Sequence, residues 1–491
     1  MRFIKGYQKI SFKHQTVVTT VTDRNYTMSF TIIQGGMGVG VSSTTLANAV
    51  SRRGELGVVS GTALALTFAR RLMKGAKDYV SALETFFDRH VVEKMKAKYL
   101  NKLNPDGSYK MVEMPTLKPS EDFVELMVVS TYCEVYLAKL GHLGQVGINF
   151  LEKIQMPTLY SVYGAILAGV DVILMGAGIP VRMPHVIDKL SNHEKVSLPI
   201  KVYNDTNHVE LTFDPSTLNL SHIPLKRPKF FAIISSHTLA NYLYKSDFGA
   251  PDAFVVEKHT AGGHNAPPRG DYLINEKGEP IYGERDEINL EAIKKVGLPF
   301  YLAGGYGNPT RYQEALAFGA EGVQVGTIFA LSDESGFEPT LKKQMLKQIV
   351  EGEVDVLTDA KASPTGFPFK VANILNTMSE KDIYEQRTRI CDLGYLREPY
   401  QKENGSVGYR CPSEPVEDYI KKGGKLEDTV GRKCLCNGLV SAIGLPQKRG
   451  DQKELPLITS GDEINLVRPL IKDFSYSAAD VLNYIKGEAT I

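Results

Sequence analysis

Three glycine-bearing corners hold the residues best suited to chemistry: Phe254-Val-Val-Glu-Lys-His-Thr-Ala-Gly-Gly-His264, Phe300-Tyr-Leu-Ala-Gly-Gly305 and Gly322-Val-Gln-Val-Gly-Thr327. In each, a short apolar run ends in small residues, and a helix-like stretch at 311–319 joins the last two. Glycine lets backbone approach a ligand closely, and the unpaired amides of a helix start favour an anion. Gly304, Gly305, Gly326 and Thr327 therefore read as a phosphate site, with the Gln324 amide beside it; the same glycines also permit tight strand–helix packing. Glu257 ends its apolar run with a carboxylate that could accept hydrogen bonds from a ligand's hydroxyl chain or form a structural pair. His264 follows Gly262 and Gly263 and could remove or return a proton on carbon, because imidazole titrates near neutrality. A loop histidine bonded to a carbonyl is the plain alternative. Its place at the end of a strand favours the functional role.

Gly36-Met-Gly-Val-Gly40 invites a dinucleotide-fold assignment, but the third glycine of that fingerprint would fall at Ser43, and Glu55 precedes a strand instead of ending it. In a barrel, Gln34, Gly35, Gly36 and Met37 simply form the first loop of the top face, lying against a planar ring. Cys391, Cys411, Cys434 and Cys436 lack two CxxC pairs, so they read as scattered, reduced thiols and no metal is expected. Lys421, Lys422 and Lys425 read as a solvated face.

These residues need a scaffold, and eight short apolar, β-prone runs supply one, at 30–33, 57–60, 145–149, 171–175, 230–234, 253–257, 300–303 and 322–325. Helical patterns at 44–53, 158–168, 238–245 and 311–318 alternate with them. Repeated β-then-α order predicts a parallel sheet, and eight units predict closure as an α/β (β/α)8 TIM barrel with the chemistry at the C-terminal ends of its strands. The predicted organisation is an N-terminal extension at 1–27, β-prone over 16–22, then a barrel at 28–361 and a mainly helical C-terminal cap at 362–491. Insertions are expected at about 78–142, from two helical patterns, and at 197–228, from a hairpin at 197–213 and a proline-rich return. Beyond 361 the helical patterns are 374–389 and 478–486, flanking a glycine- and lysine-rich stretch at 409–433.

The 491 residues exceed one ordinary domain, and 43% hydrophobic with 23% charged residues suits a globular protein with a large core. A net charge of +1 offers no global field for nucleic acid or an anionic membrane. No apolar run approaches the roughly 20 residues of a bilayer span. Five cysteines do not make a disulfide framework, which points to a reducing cytoplasm.

Taken together, Ile33-Gln-Gly-Gly-Met37, Gly147-Ile-Asn149, Gly176-Ala-Gly178, Glu257 through His264, Ala303-Gly-Gly305 and Gly319 through Thr327 resemble the nitronate monooxygenase family, the former 2-nitropropane dioxygenases, with its flavin-dependent enoyl-acyl-carrier-protein reductase relatives. The resemblance spans about 32–329 in the family's order. It implies an FMN-binding barrel, with phosphate on Gly304, Gly305, Gly326 and Thr327. Gln34 to Met37, Asn149 and Gly176 would line the ring, Glu257, Gly262 and Gly263 the ribityl chain, and His264 would be the catalytic base. A nitronate or an enoyl thioester would be the small-molecule substrate; the second would bring NAD(P)H and an acyl carrier protein as partner. A non-catalytic flavin- or phosphate-binding barrel is the remaining alternative, and self-association stays open. The sequence departs from simpler members after His264, at Asn265-Ala-Pro-Pro-Arg-Gly270, in the long loop at 271–285, and in the insertions and C-terminal region.

Overall fold

The computed structural model describes residues 29–205, 209–352 and 354–488, so the extension expected at 1–27 and its β-prone 16–22 lie outside the described residues. Eight parallel strands close into a barrel in sequence order: β1 (Ile32–Gln34), β2 (Leu56–Ser60), β3 (Val146–Leu151), β4 (Val172–Gly176), β5 (Lys229–Ile234), β6 (Ala253–Glu257), β7 (Phe300–Ala303) and β8 (Gly322–Val325), with β8 pairing back onto β1. Each matches one of the expected runs to within two residues.

Alternation along the strands sorts the side chains. Ile33, Leu56, Val58, Val172, Leu174, Phe231, Val255 and Tyr301 pack as one cluster inside the barrel. Their neighbours Ile32, Val59, Ile148, Ile173, Phe230, Phe254, Leu302 and Val323 face outward into the larger core beneath the helices. At the N-terminal end, Phe30 stacks on Tyr301, whose hydroxyl donates to the Phe30 carbonyl at 3.2 Å and closes the floor. One residue pair further along the inward set reaches the opposite rim, where Gly35, Ser60, Asn149, Gly176, Glu257, Ala303 and Gln324 form the top layer.

The outer helices are capped where the sequence permits. Ser43 Oγ accepts the Leu46 N–H at 3.0 Å and starts the helix Thr44–Ser51, which explains a serine at the place where a dinucleotide fingerprint would need glycine. Asn308 caps Pro309–Phe318, which ends at Gly319 with φ 99°. The expected insertion at 78–142 divides in two. Glu121–Lys139 packs against Thr44–Ser51 and Thr158–Leu167 in the outer ring, while Lys77–Leu83 and Arg89–Tyr99 form the added part. The second excursion is an antiparallel hairpin, Val196–Ile200 with Val209–Phe213.

The C-terminal region reaches over the top of the barrel as far as Leu470, and its last helix, Ala478–Lys486, packs against Thr44–Ser51 and Pro309–Phe318 in the outer ring. Its regular elements are mostly helical, chiefly Leu435–Ala442, the kinked Asp462–Leu470 and Ala478–Lys486, with small hairpins between them. Of the helix expected at 374–389 only Lys381–Glu385 forms. Thr377 and Ser379 donate their hydroxyls to the Ile374 carbonyl, and Asn376 takes φ 58°, so local hydrogen bonds replace the first turns. Lys370 N–H donates to the Gly263 carbonyl at 2.9 Å and Gly461 N–H to Thr327 Oγ1 at 3.1 Å, tying this region to the glycine corners.

Candidate active site

The top layer and the loops above it enclose one large cavity. Gly35, Gly36 and Met37 line it from the first loop, and Asn149, Gly176, Glu257 and Gln324 from the strand ends. Gly262, Gly263 and His264 come from the β6 corner, Gly304 and Gly305 from the β7 corner, and Gly326 and Thr327 from β8. The glycines have steric reasons to be there. Gly304 and Gly305 take φ of 79° and 91°, which disfavour any side chain. A Cβ on Gly36 would stand 2.2 Å from that of Asn149, so the first loop lies directly on β3.

Three buried polar atoms facing this space have no hydrogen-bond partner among the described residues: Asn149 Oδ1, Thr260 Oγ1 and Gln324 Oε1. Buried polar groups are rarely left unsatisfied, so this set calls for a polar ligand. Burial pushes the Glu257 carboxyl up to about 7, which lets it act as donor or acceptor toward ligand hydroxyls near neutrality. One feature opposes a phosphate in the β7 corner. Glu463, from the C-terminal region, accepts the Gly307 N–H there, and burial raises its carboxyl above the usual range. A phosphate at the same amides needs that carboxyl protonated or displaced.

His264 is half-buried, with its ring edge-on to Phe369 at 4.9 Å and its Nε2 2.6 Å from Ser363 Oγ. Burial, and then the positive charge of Lys153, pull its pKa down to about 3, so the imidazole is neutral at physiological pH. Lys153 follows β3; its Nζ lies 3.1 Å above the centre of the Phe367 ring and has no hydrogen-bond partner among the described residues. Burial lowers its pKa to about 7.

Gln34 is the expected cavity residue that the fold places elsewhere. It alternates with Ile33 and therefore points out of the barrel, fully buried. Its amide donates to the Gly35 carbonyl at 2.7 Å and to Ser42 Oγ at 2.9 Å, and its oxygen accepts the Val58 N–H at 3.1 Å. It braces the first loop from behind. Conversely, Lys153, Thr260, Ser363, Thr459 and Glu463 reach the site without having been marked by the sequence. Ser363 is 99 residues from His264, and no local spacing links the two. The four C-terminal cysteines, expected to be scattered, line one small cavity, because a hairpin and a helix start fold back on the same loop.

A sequence model described as "Nitronate monooxygenase" matches residues 186–384, from the helix before the hairpin to the first part of the C-terminal region. Over 115 residues the chain is 30% identical to a probable nitronate monooxygenase of Staphylococcus haemolyticus, covering 23% of this chain and 31% of that protein. Over 122 residues it is 28% identical to the (3aS,4S,5R,7aS)-5-hydroxy-7a-methyl-1-oxo-octahydro-1H-indene-4-carboxyl-CoA dehydrogenase of Mycobacterium tuberculosis, covering 25% and 31%. The chain thus spans about a third of the length of these curated relatives. A solved structure of FabK from Thermotoga maritima aligns over 96% of this chain and 95% of that chain, at 18% identity and a TM-score of 0.45. Among the described residues no helix is long and apolar enough to cross a membrane. The matched stretch carries His264 and the glycine corners of β7 and β8, and over it the chain is similar to the nitronate monooxygenase family.

Proposed function

We propose that this chain is an FMN-dependent oxidoreductase acting on nitronates, with residues 28–361 as its catalytic barrel and 362–491 as a cap. The observation that carries this reading is the unsatisfied polar set, Asn149, Thr260 and Gln324, converging with two positive-φ glycines and His264 on a single cavity. When bound, the flavin would accept electrons from the substrate and pass them to oxygen, leaving a carbonyl compound and nitrite. The amides of Gly304, Gly305 and Gly326 with the Thr327 hydroxyl would hold its phosphate, Glu257 its hydroxyl chain, and Gly35 to Met37 with Asn149 one side of its ring.

His264 would orient substrate. An imidazole with so depressed a pKa is a weak base toward a carbon-bound proton, but a neutral ring can hydrogen-bond a nitro group that is already anionic. Lys153 would add positive charge on the same side. The reading therefore favours preformed nitronate over neutral nitroalkane as substrate. Replacing Gly305 by valine should empty the flavin site, since φ 91° already excludes a side chain comfortably; full flavin content in that variant would move the phosphate elsewhere.

One observation favours a second reading, reduction of an enoyl thioester by NAD(P)H with an acyl carrier protein as partner. The C-terminal region lends the cavity an apolar wall of Leu393, Leu396, Leu435 and Leu439, which suits an acyl chain better than a small nitronate. An anaerobic visible spectrum separates the two. Bleaching by nitronate and not by NADPH supports the first reading, and rapid bleaching by NADPH supports the second. A protein that neither carries nor takes up flavin would sink both.

A further inference from the structure

The segment 363–370 of the C-terminal region holds His264 from three directions. Main chain pairs on either side of the histidine: Lys370 N–H donates to the Gly263 carbonyl at 2.9 Å, and Asn265 N–H to the Pro368 carbonyl at 3.0 Å. Phe369 stands edge-on to the ring. Ser363 meets the ring nitrogen Nε2 with its hydroxyl. The serine is itself fully buried, and Arg432 Nη1 donates to its carbonyl at 2.6 Å, so both ends of this contact are anchored.

The hydrogen-bonding capacity of the serine then decides where the imidazole proton lies. Ser363 Oγ is 2.6 Å from His264 Nε2 and 2.8 Å from Thr365 Oγ1, and it accepts the Thr365 N–H at 3.2 Å. A hydroxyl has one proton to give and two lone pairs to offer. The amide takes one lone pair, which leaves one proton and one lone pair for two neighbours. In one arrangement Thr365 donates to Ser363, and Ser363 donates to Nε2. In the other, Nε2–H donates to Ser363, and Ser363 donates to Thr365. The second leaves the Thr365 hydroxyl proton without an acceptor among the described residues, whereas the first uses both hydroxyl protons. Polar networks of this kind settle on the arrangement that satisfies their members.

A neutral imidazole carries one proton, so an Nε2 that accepts leaves that proton on Nδ1. Burial and the charge of Lys153 keep the ring neutral at physiological pH. Nδ1 has no partner among the described residues, and the ring lines the large cavity, so Nδ1 is the nitrogen left for a ligand. We propose that Ser363 is a positioning residue that holds His264 in its Nδ1–H tautomer, so that the ring offers the cavity a hydrogen-bond donor in place of a base. The matching substrate group is an oxygen that already bears negative charge, as in a nitronate; a carbon-bound proton has no acceptor there. This inference rests on the reading above for the substrate, while the tautomer itself does not depend on it.

The test is nitrogen NMR of the full chain labelled in its histidine rings, with His264 identified by the signals missing from His264→Gln. A protonated Nδ1 and a bare Nε2 are expected, and the reverse pattern overturns the proposal. Ser363→Ala should show a mixture or the reverse. Its KM for a nitronate should rise about tenfold, with kcat and flavin content nearly unchanged, because a hydrogen bond to a charged oxygen is lost. Native ring signals in that variant overturn the role of the serine. Thr365→Val should keep the native ring pattern, since the Ser363 proton then has only Nε2 to go to; a changed pattern overturns the polarity assigned to the chain. If Ser363→Ala fails to fold, the signals of the unaltered protein decide alone. A protein inert to nitronates would sink the substrate reading, and the ring signals would still decide the tautomer.

Discussion

Glu463 and His264 bring opposite charge problems to the cavity. The Glu463 carboxyl shares the β7 corner with the proposed phosphate, and like charges in one site disfavour each other. Glu463→Gln keeps an acceptor for the Gly307 N–H and removes the charge. FMN should bind that variant about tenfold tighter near pH 8, equivalent to roughly 1.4 kcal/mol, with a gain that shrinks toward acid as the native carboxyl, raised by burial, takes up its proton. Equal flavin affinity of the two proteins in a titration at the alkaline end would place the phosphate away from Glu463. For His264 the sign is set by its depressed pKa. The unfolded chain takes up a proton below the ordinary value of 6.5, while the folded chain resists until about 3, so stability falls as pH drops through that window. His264→Gln should flatten the fall, seen as a smaller loss of Tm between about pH 7 and 4. Parallel curves for the two proteins would mean that the imidazole is not held neutral.

The outer ring depends on close approach between helices. A Cβ on Gly164, in Thr158–Leu167, would stand 2.2 Å from the Val128 carbonyl oxygen of Glu121–Lys139. Backbone cannot swing aside, so Gly164→Ala should cost about 1–3 kcal/mol. It should leave flavin content per folded chain unchanged, because neither residue borders the cavity. Thermal unfolding without a shift would show that the two helices have slack. At this scale the sequence was most legible. Strands buried on both faces read as apolar runs, and alternation within each run fixes which residues reach the inside. The 374–389 stretch misled because apolar spacing there competes with Thr377 and Ser379, whose hydroxyls satisfy the Ile374 carbonyl locally.

At the scale of the molecule, the segment Thr459–Gly461 is pressed against the β6 corner. Thr459 Oγ1 accepts the Gly263 N–H at 2.8 Å, and a Cβ on Gly262 would meet Gly461 N and Ser460 C at 2.8 Å. Gly262→Ala should therefore lift the C-terminal region from the barrel, speeding flavin release several-fold in stopped-flow dilution and exposing the 459–461 segment to protease. A variant with native release and native resistance would show that the contact can relax without opening the cavity.

The sequence by itself determined the eight strands, their parallel order, the glycine corners and the placing of His264 at the end of β6, because each depends on periodicity or backbone freedom within a few residues. Only the tertiary structure decided that Gln34 turns its amide away from the cavity, since orientation there hangs on where the inward set of β1 begins. Only it brought Ser363 to His264, Glu463 to the β7 corner and four cysteines to one cavity. Those meetings depend on the summed path of the chain between the partners, and no local spacing encodes such a path.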